Sequence, residues 1–297
     1  MPQQYAISEY PNVDEVYAKL ENLISQPTRP IRREKMKEYL DYFDTKCIRS
    51  KQLIDEAKQI IPGGVQHNLA FNYPFPIAIE KAEGALLWDA DGNQYIDFLQ
   101  AGGPTILGRN YAPVREKVIE MLQTCGPVTG LFHEYELKLA QLIQRFMPSI
   151  EMFRMLGSGT ESVMAAIRAA RTFTKKKYVI KVGGAYHGWS DSMVYGLHIP
   201  GTGRLEAKGI PRGASASTRE FYPNALGALR RQLFLNRFRG GTAAVIVEPV
   251  GPESGTRPVP KDFNQKVREL CDEFGALLIF DEVVLSLIHI SEPTRPY

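Results

Sequence analysis

From about residue 150 the chain alternates between two hydrophobic periods. Val163, Met164, Ile167 and Ala170 recur at helical spacing and predict a helix over about 160–173. Tyr178–Val182 then reads as a strand. Residues 243–247 form a short apolar run rich in β-branched side chains. Phe263, Val267, Leu270, Cys271 and Phe274 return to helical spacing over 262–274, with Gly275 where a helix C-cap belongs. Residues 276–280 are a further apolar strand. Strands that are apolar throughout and alternate with helices predict an α/β fold, a mostly parallel sheet covered by helices. Upstream the pattern differs. Residues 13–24 and 36–61 carry helix-like periodicity with many charges, broken by Pro27, Pro30 and Pro62-Gly63-Gly64. Residues 1–60 therefore read as a helical N-terminal segment. Residues 77–80 lead into a hairpin whose strands, 85–88 and 94–98, flank Asp91-Gly92, a pair that tolerates a tight turn. Gly102-Gly103-Pro104 marks a loop, and helices are expected at about 112–123 and 133–146.

Composition adds exclusions. Of the 297 residues, 44% are apolar and 23% charged, the balance of a globular chain. A formal charge of +3 argues for neither nucleic acid nor membrane as a partner. The densest basic stretch (Arg230, Arg231, Arg237, Arg239) is interleaved with Leu233, Phe234, Leu235 and Phe238, and reads as an amphipathic helix with a solvated basic face. Three cysteines lie far apart without metal spacing, which fits a reduced, cytoplasmic setting. The N-terminus lacks the basic and apolar regions of a signal peptide, and no apolar run reaches spanning length.

Four short segments carry chemistry. Gly157-Ser158-Gly159-Thr160-Glu161 opens the 160–173 helix with capping-box spacing between Ser158 and Glu161. Its unpaired amides and positive dipole end suit a phosphate, although a plain capped helix start has the same spelling. Tyr186-His187-Gly188 follows a strand and two glycines, where an aromatic can stack on a flat heterocycle or fill a core. His187 and Asp191 lack a third ligand, so no metal site is expected. Glu248 and Asp281 each end an apolar strand, where ligands of parallel sheets bind. An acidic pair after a strand also occurs in magnesium-dependent nucleotide hydrolases, but the P-loop they require is absent.

In order and spacing these segments resemble the class III aminotransferases, pyridoxal-phosphate enzymes of fold type I, and among them the glutamate-1-semialdehyde aminomutase-like proteins. The resemblance runs from about Ile61 to Val284. It includes Ile61-Pro62-Gly63-Gly64-Val65, Leu87-Trp88-Asp89-Ala90-Asp91-Gly92, Tyr95-Ile96-Asp97-Phe98 and Ile106-Leu107-Gly108. It implies a small-domain hairpin over 61–110 and a cofactor-binding large domain over 111–284. It also implies pyridoxal 5′-phosphate as cofactor. Ser158, Gly159 and Thr160 would hold its phosphate, and Tyr186 would stack on its ring with His187 alongside. Asp281 would pair with the ring nitrogen, Val283 would pack on the opposite ring face, and Glu248 would join the hydrogen-bonded network nearby. The implied partners are a small-molecule amino donor and an oxo acceptor, with a homodimer when the protein is complete.

The chain also departs from that pattern. The family's Schiff-base lysine follows the matching aspartate by some tens of residues, whereas the last lysine here is Lys266. Residues 285–297 do not fit the family and resemble translated adapter sequence, so they are expected to be a non-native tail, with the C-terminal small domain missing. Gly251-Pro252-Glu253 replaces the family's small residues and asparagine, and the extra acid disfavours a substrate with a second carboxylate. Two classes of function stay open: amino-group transfer, by transamination or by intramolecular aminomutation, in a lysine-bearing parent; and a non-catalytic cofactor-binding or interaction module.

Overall fold

A computed structural model describes residues 12–284, apart from 129 and 204–207. The expected 285–297 tail lies outside them. The chain divides into two compact units, 26–133 and a larger one made of the N-terminal helix with 134 onward.

In the smaller unit, α2 (Arg33–Lys46) and α3 (Ile48–Ala57) divide the stretch of helix-like periodicity over 36–61. The helix breaks at Cys47, which is fully buried at φ −120° and ψ 41°. The break is stabilised from outside: the Asp91 carboxylate accepts the Arg49 and Ser50 amides (2.6 and 3.0 Å) and so caps α3 from 41 residues away. Asp91 belongs to the expected hairpin, β2 (Leu86–Asp89) and β3 (Gln94–Ile96), whose turn uses Gly92 at φ +84°. A third strand, β1 (Ile79–Glu83), pairs antiparallel with β2 where only a lead-in was expected. Helix α4 (Ala112–Thr124) completes the unit.

The larger unit contains α1 (Val13–Ser25), α5 (Glu134–Phe146), α6 (Gly159–Thr174) and a parallel sheet. Its strands are β4 (Tyr178–Val182), β5 (Thr218–Phe221), β6 (Thr242–Val247) and β7 (Leu277–Phe280), in the order β5-β4-β6-β7. Helices α7 (Leu226–Asn236), α8 (Pro252–Gly255) and α9 (Phe263–Phe274) connect them. Side chains alternate across the strands, and each face finds a cover. Ile180, Val182, Val245 and Val247 pack with Leu229 and Leu233 of α7 and Phe263, Val267 and Leu270 of α9. On the other face Val179, Ile246 and Ile279 pack with Val163 and Ile167 of α6. Each such aliphatic side chain, fully buried, contributes about 1.5–3 kcal/mol. Gly275 closes α9 at φ +62°, and the Ala276 amide returns to the Cys271 carbonyl (2.8 Å). Among the described residues no helix is long and apolar enough to cross a membrane.

The strand order fixes where a ligand site can form. The chain leaves β4 toward β5 on one side and then returns to place β6 on the other. The loops after β4 and β6 therefore diverge, and the crevice at their carboxyl ends is the topological switch point.

Candidate active site

The C-terminal ends of β4, β6 and β7 and the N-terminus of α6 meet at this crevice. Ser158 caps α6 with an extended backbone (φ −158°), its Oγ accepting the Glu161 amide at 3.2 Å. The reciprocal half of the capping box is not made. The Glu161 carboxylate folds back over Gly157 and lies 3.4 Å from Ser158 Oγ. The first-turn amides of Gly159 and Thr160 stay outside the helical ladder, at the positive end of a 16-residue helix.

The loop after β4 closes onto that turn. Gly188 has φ +82°, and a Cβ there would sit 2.7 Å from Thr160 Cα, so a side chain is excluded by torsion and by space. One residue on, the Trp189 amide donates to Thr160 Oγ1 (3.0 Å). Gly159 in turn faces Val283, whose Cγ2 would lie 3.5 Å from a Cβ at that glycine. The helix start is thus in contact with both the β4 loop and the segment after β7.

At the strand tips, the Asp281 amide donates to the Val247 carbonyl (2.9 Å), continuing the β6–β7 ladder by one residue and setting Glu248 and Asp281 on neighbouring tips. His187 is fully buried, and its Nδ1 lies 2.8 Å from Asp281 Oδ2. Asp281 Oδ1 accepts the Val283 amide at 3.2 Å. A carboxylate only accepts, so the proton of this pair sits on Nδ1, and Nε2 of a neutral imidazole is then an acceptor. That Nε2 is buried with no hydrogen-bond partner among the described residues. Glu248, 5% exposed, accepts the Tyr186 amide (3.3 Å) and the Glu253 amide (3.0 Å) on Oε1. Tyr186 and Val283 stay exposed at the mouth. An open cleft of about 470 Å³ flanks the site, sharing Thr160 and Trp189 with it but none of the strand-tip acids.

The geometry brings together Ser158, Gly159, Thr160, Tyr186, His187, Glu248, Asp281 and Val283. Sequence reading missed three features. The pairing of His187 with Asp281, 94 residues apart, has no local signature. The role of Gly188 as a spacer against Thr160 is signalled only by its being glycine. The third is the partner of Glu253, not the acid itself: Glu253, at φ +50°, pairs its carboxylate with His198 Nδ1, itself at φ +57°. Two non-glycine residues in a sparsely populated conformation meeting side chain to side chain mark this rim as constrained.

The arrangement has a solvent-exposed helix N-terminus at one end and a dehydrated acid–imidazole pair at the other. Both an unpartnered buried nitrogen and a row of free first-turn amides are suited to a flat, phosphorylated heterocycle.

Comparison with known proteins agrees. The sequence profile described as aminotransferase class-III matches residues 69–285. Over 241 residues the chain is 42% identical to a glutamate-1-semialdehyde 2,1-aminomutase from Acetivibrio thermocellus, covering 80% of this chain and 56% of that protein. In structure it is similar to a β-phenylalanine aminotransferase from Variovorax paradoxus, with TM-score 0.71 and 32% identity, covering 84% of this chain and 54% of that one. It is also similar to a glutamate-1-semialdehyde aminomutase from Pseudomonas aeruginosa, with TM-score 0.73 and 25% identity, covering 83% and 54%. The chain spans about half the length of these relatives, and its sheet and covering helices have the fold of the type I pyridoxal-phosphate transferases.

Proposed function

Because this chain belongs to the class III aminotransferase family, we propose that its strand-tip crevice binds pyridoxal 5′-phosphate for amino-group transfer. When bound, the ring supplies an electron sink for a carbanion formed beside an amino nitrogen. The chain's own residues divide the work. Ser158, Gly159 and Thr160 bind the phosphate through first-turn amides and hydroxyls. Asp281 keeps the ring nitrogen protonated; at an effective dielectric of ~20 a charge pair about 3 Å apart is worth on the order of 5 kcal/mol before desolvation. His187 holds Asp281 in place by its Nδ1–H bond. Glu248 holds the Tyr186 backbone through its amide, and Tyr186 and Val283 would pack against the ring. The observation that carries this reading is the buried His187–Asp281 pair standing beside an open helix N-terminus.

No lysine follows Asp281 in this sequence. We propose that these 297 residues hold the cofactor through non-covalent contacts alone. Titration with pyridoxal phosphate, followed by borohydride reduction and peptide mapping, tests both points. Saturable binding with no single labelled lysine is expected. A specifically labelled lysine overturns the non-covalent reading, and an absence of saturable binding overturns the site.

Plain transamination between a small amino donor and an oxo acceptor is the favoured activity of the lysine-bearing form. The Glu253 carboxylate supports donors lacking a second carboxylate. Intramolecular amino transfer is the second reading, favoured by the names of the 40–42% identical relatives. Turnover of a lysine-bearing chain with no oxo acid supplied decides for the second. The exposed Leu137, Leu142 and Phe146 of α5 support a homodimer, which sedimentation velocity reads directly.

A further inference from the structure

Lys181 is the penultimate residue of β4, an inner strand flanked by β5 and β6, and is fully buried. It shares the sheet face of Val179, which packs among Val163, Ile167, Met193 and Ile246. A lysine in such surroundings is costly unless its ammonium donors are bonded. They are: Nζ donates to the Ala185 carbonyl at 2.7 Å and to the Met193 carbonyl at 3.0 Å.

These two carbonyls are the feet of one loop. Between them stand Tyr186, His187 and Trp189, which reach Glu248, Asp281 and Thr160 respectively through the Tyr186 amide, the His187 ring and the Trp189 amide. Those three contacts fix the loop to other elements. The ammonium ties one foot to the other. Its chemistry suits the task, because a tetrahedral group on a flexible stem can aim separate donors at two carbonyls, and charge-assisted bonds are the stronger kind. Methionine would fill the same volume and tie nothing.

We propose that Lys181 is a positioning residue of this site: its buried ammonium clamps the two feet of the 185–193 loop and so sets Tyr186 and His187 toward the cofactor ring. This role rests on the cofactor reading above.

The 297-residue chain and its Lys181→Met, Lys181→Gln, Thr160→Val and Leu229→Ala variants are titrated with pyridoxal phosphate and pyridoxamine phosphate. Binding is followed by visible circular dichroism, with amide hydrogen exchange at Tyr186 and Trp189. Lys181→Met is expected to weaken binding about tenfold or more, to reduce the dichroic band of the bound ring and to speed exchange at both amides. Lys181→Gln, one bond shorter but still a donor, falls between. Leu229→Ala, a core truncation on the opposite sheet face, lowers the melting temperature and leaves affinity within about twofold. Unchanged affinity in Lys181→Met overturns the proposal, as does an equal loss in Leu229→Ala. Failure of both Lys181 variants to fold overturns it too, since the lysine would then be needed by the fold and not by the loop. Specific borohydride labelling of Lys181 also overturns it, because a nucleophile is not a clamp. If the unaltered chain does not bind, the site reading fails and takes this role with it. If Thr160→Val weakens binding and Lys181→Met does not, only the role of Lys181 falls.

Discussion

The two ends of the crevice are built on opposite physical terms. At the helix end, Ser158 is exposed and Gly159 and Thr160 are half-buried, so an anion there exchanges water for amide and hydroxyl donors. At the strand end, His187 is fully buried and the Asp281 side chain is only 7% exposed, so a charge there acts in a poorly screened medium. Donors in water give modest net affinity, while a dehydrated charge controls the ionisation of whatever faces it. On the proposed cofactor reading, the difference separates holding from activating. The loop 186–189 bonds to both ends, with His187 on Asp281 and the Trp189 amide on Thr160.

The strongest way to break the contrast is at Asp281. Asp281→Ala removes the one hydrogen-bond partner of a buried imidazole and is expected to cost about 1–3 kcal/mol of stability. Asp281→Asn keeps an oxygen for the Nδ1–H and removes the charge. Its melting temperature should stay close to that of the unaltered chain, while affinity for pyridoxal phosphate falls about tenfold or more, the equivalent of ~1.4 kcal/mol. Calorimetric titration beside thermal melts separates the two. Equal affinity in Asp281→Asn would show that the acid serves the fold alone.

Next in size is Gly188, where the two ends are joined. Gly188→Ala must hold a left-handed backbone and displace Thr160, at a cost of about 1–3 kcal/mol. Affinity and stability should fall together. Gly227→Ala is the matched control: it lies within α7 and a Cβ there meets nothing within 4 Å. It should be stabilising by about 0.5–1 kcal/mol. If Gly188→Ala leaves Tm and affinity unchanged, the loop does not bridge the two ends as described.

The sequence was legible where burial follows period. The alternation of β4, β6 and β7 with α6 and α9 places both acids at strand tips. It was illegible where a polar residue stands in for an apolar one. Strand β5 contains Arg219 and Glu220, and the Glu220 carboxylate accepts the Gly201 and Gly203 amides at 3.2 and 3.0 Å. A strand stabilised by loop amides leaves no hydrophobic signal. Lys181 reads as an interruption of an apolar run, yet it is as buried as its neighbours because its Nζ is bonded to carbonyls. The break at Cys47 was hidden for a related reason: the cap that permits it, Asp91, is remote in sequence. Long-range pairings such as His187 with Asp281 carry no spacing rule at all.

The finest distinction lies at the helix end, where a capped helix start and an anion site predict different signs. Ser158→Ala removes the cap and about 1 kcal/mol under either reading, so it cannot discriminate by itself. Glu161 can. Its carboxylate lies against Gly157 and Ser158, where it favours the helix dipole by about 0.3–1 kcal/mol and repels any anion that approaches the same amides. Glu161→Gln should therefore lower the melting temperature slightly while tightening inorganic phosphate about two- to fivefold, as read by competition against pyridoxal phosphate at low ionic strength. A helix start with no anion to hold would show the first effect without the second. The small gain in affinity from a mildly destabilising change is thus the measurement that assigns this turn to the ligand and not to the helix.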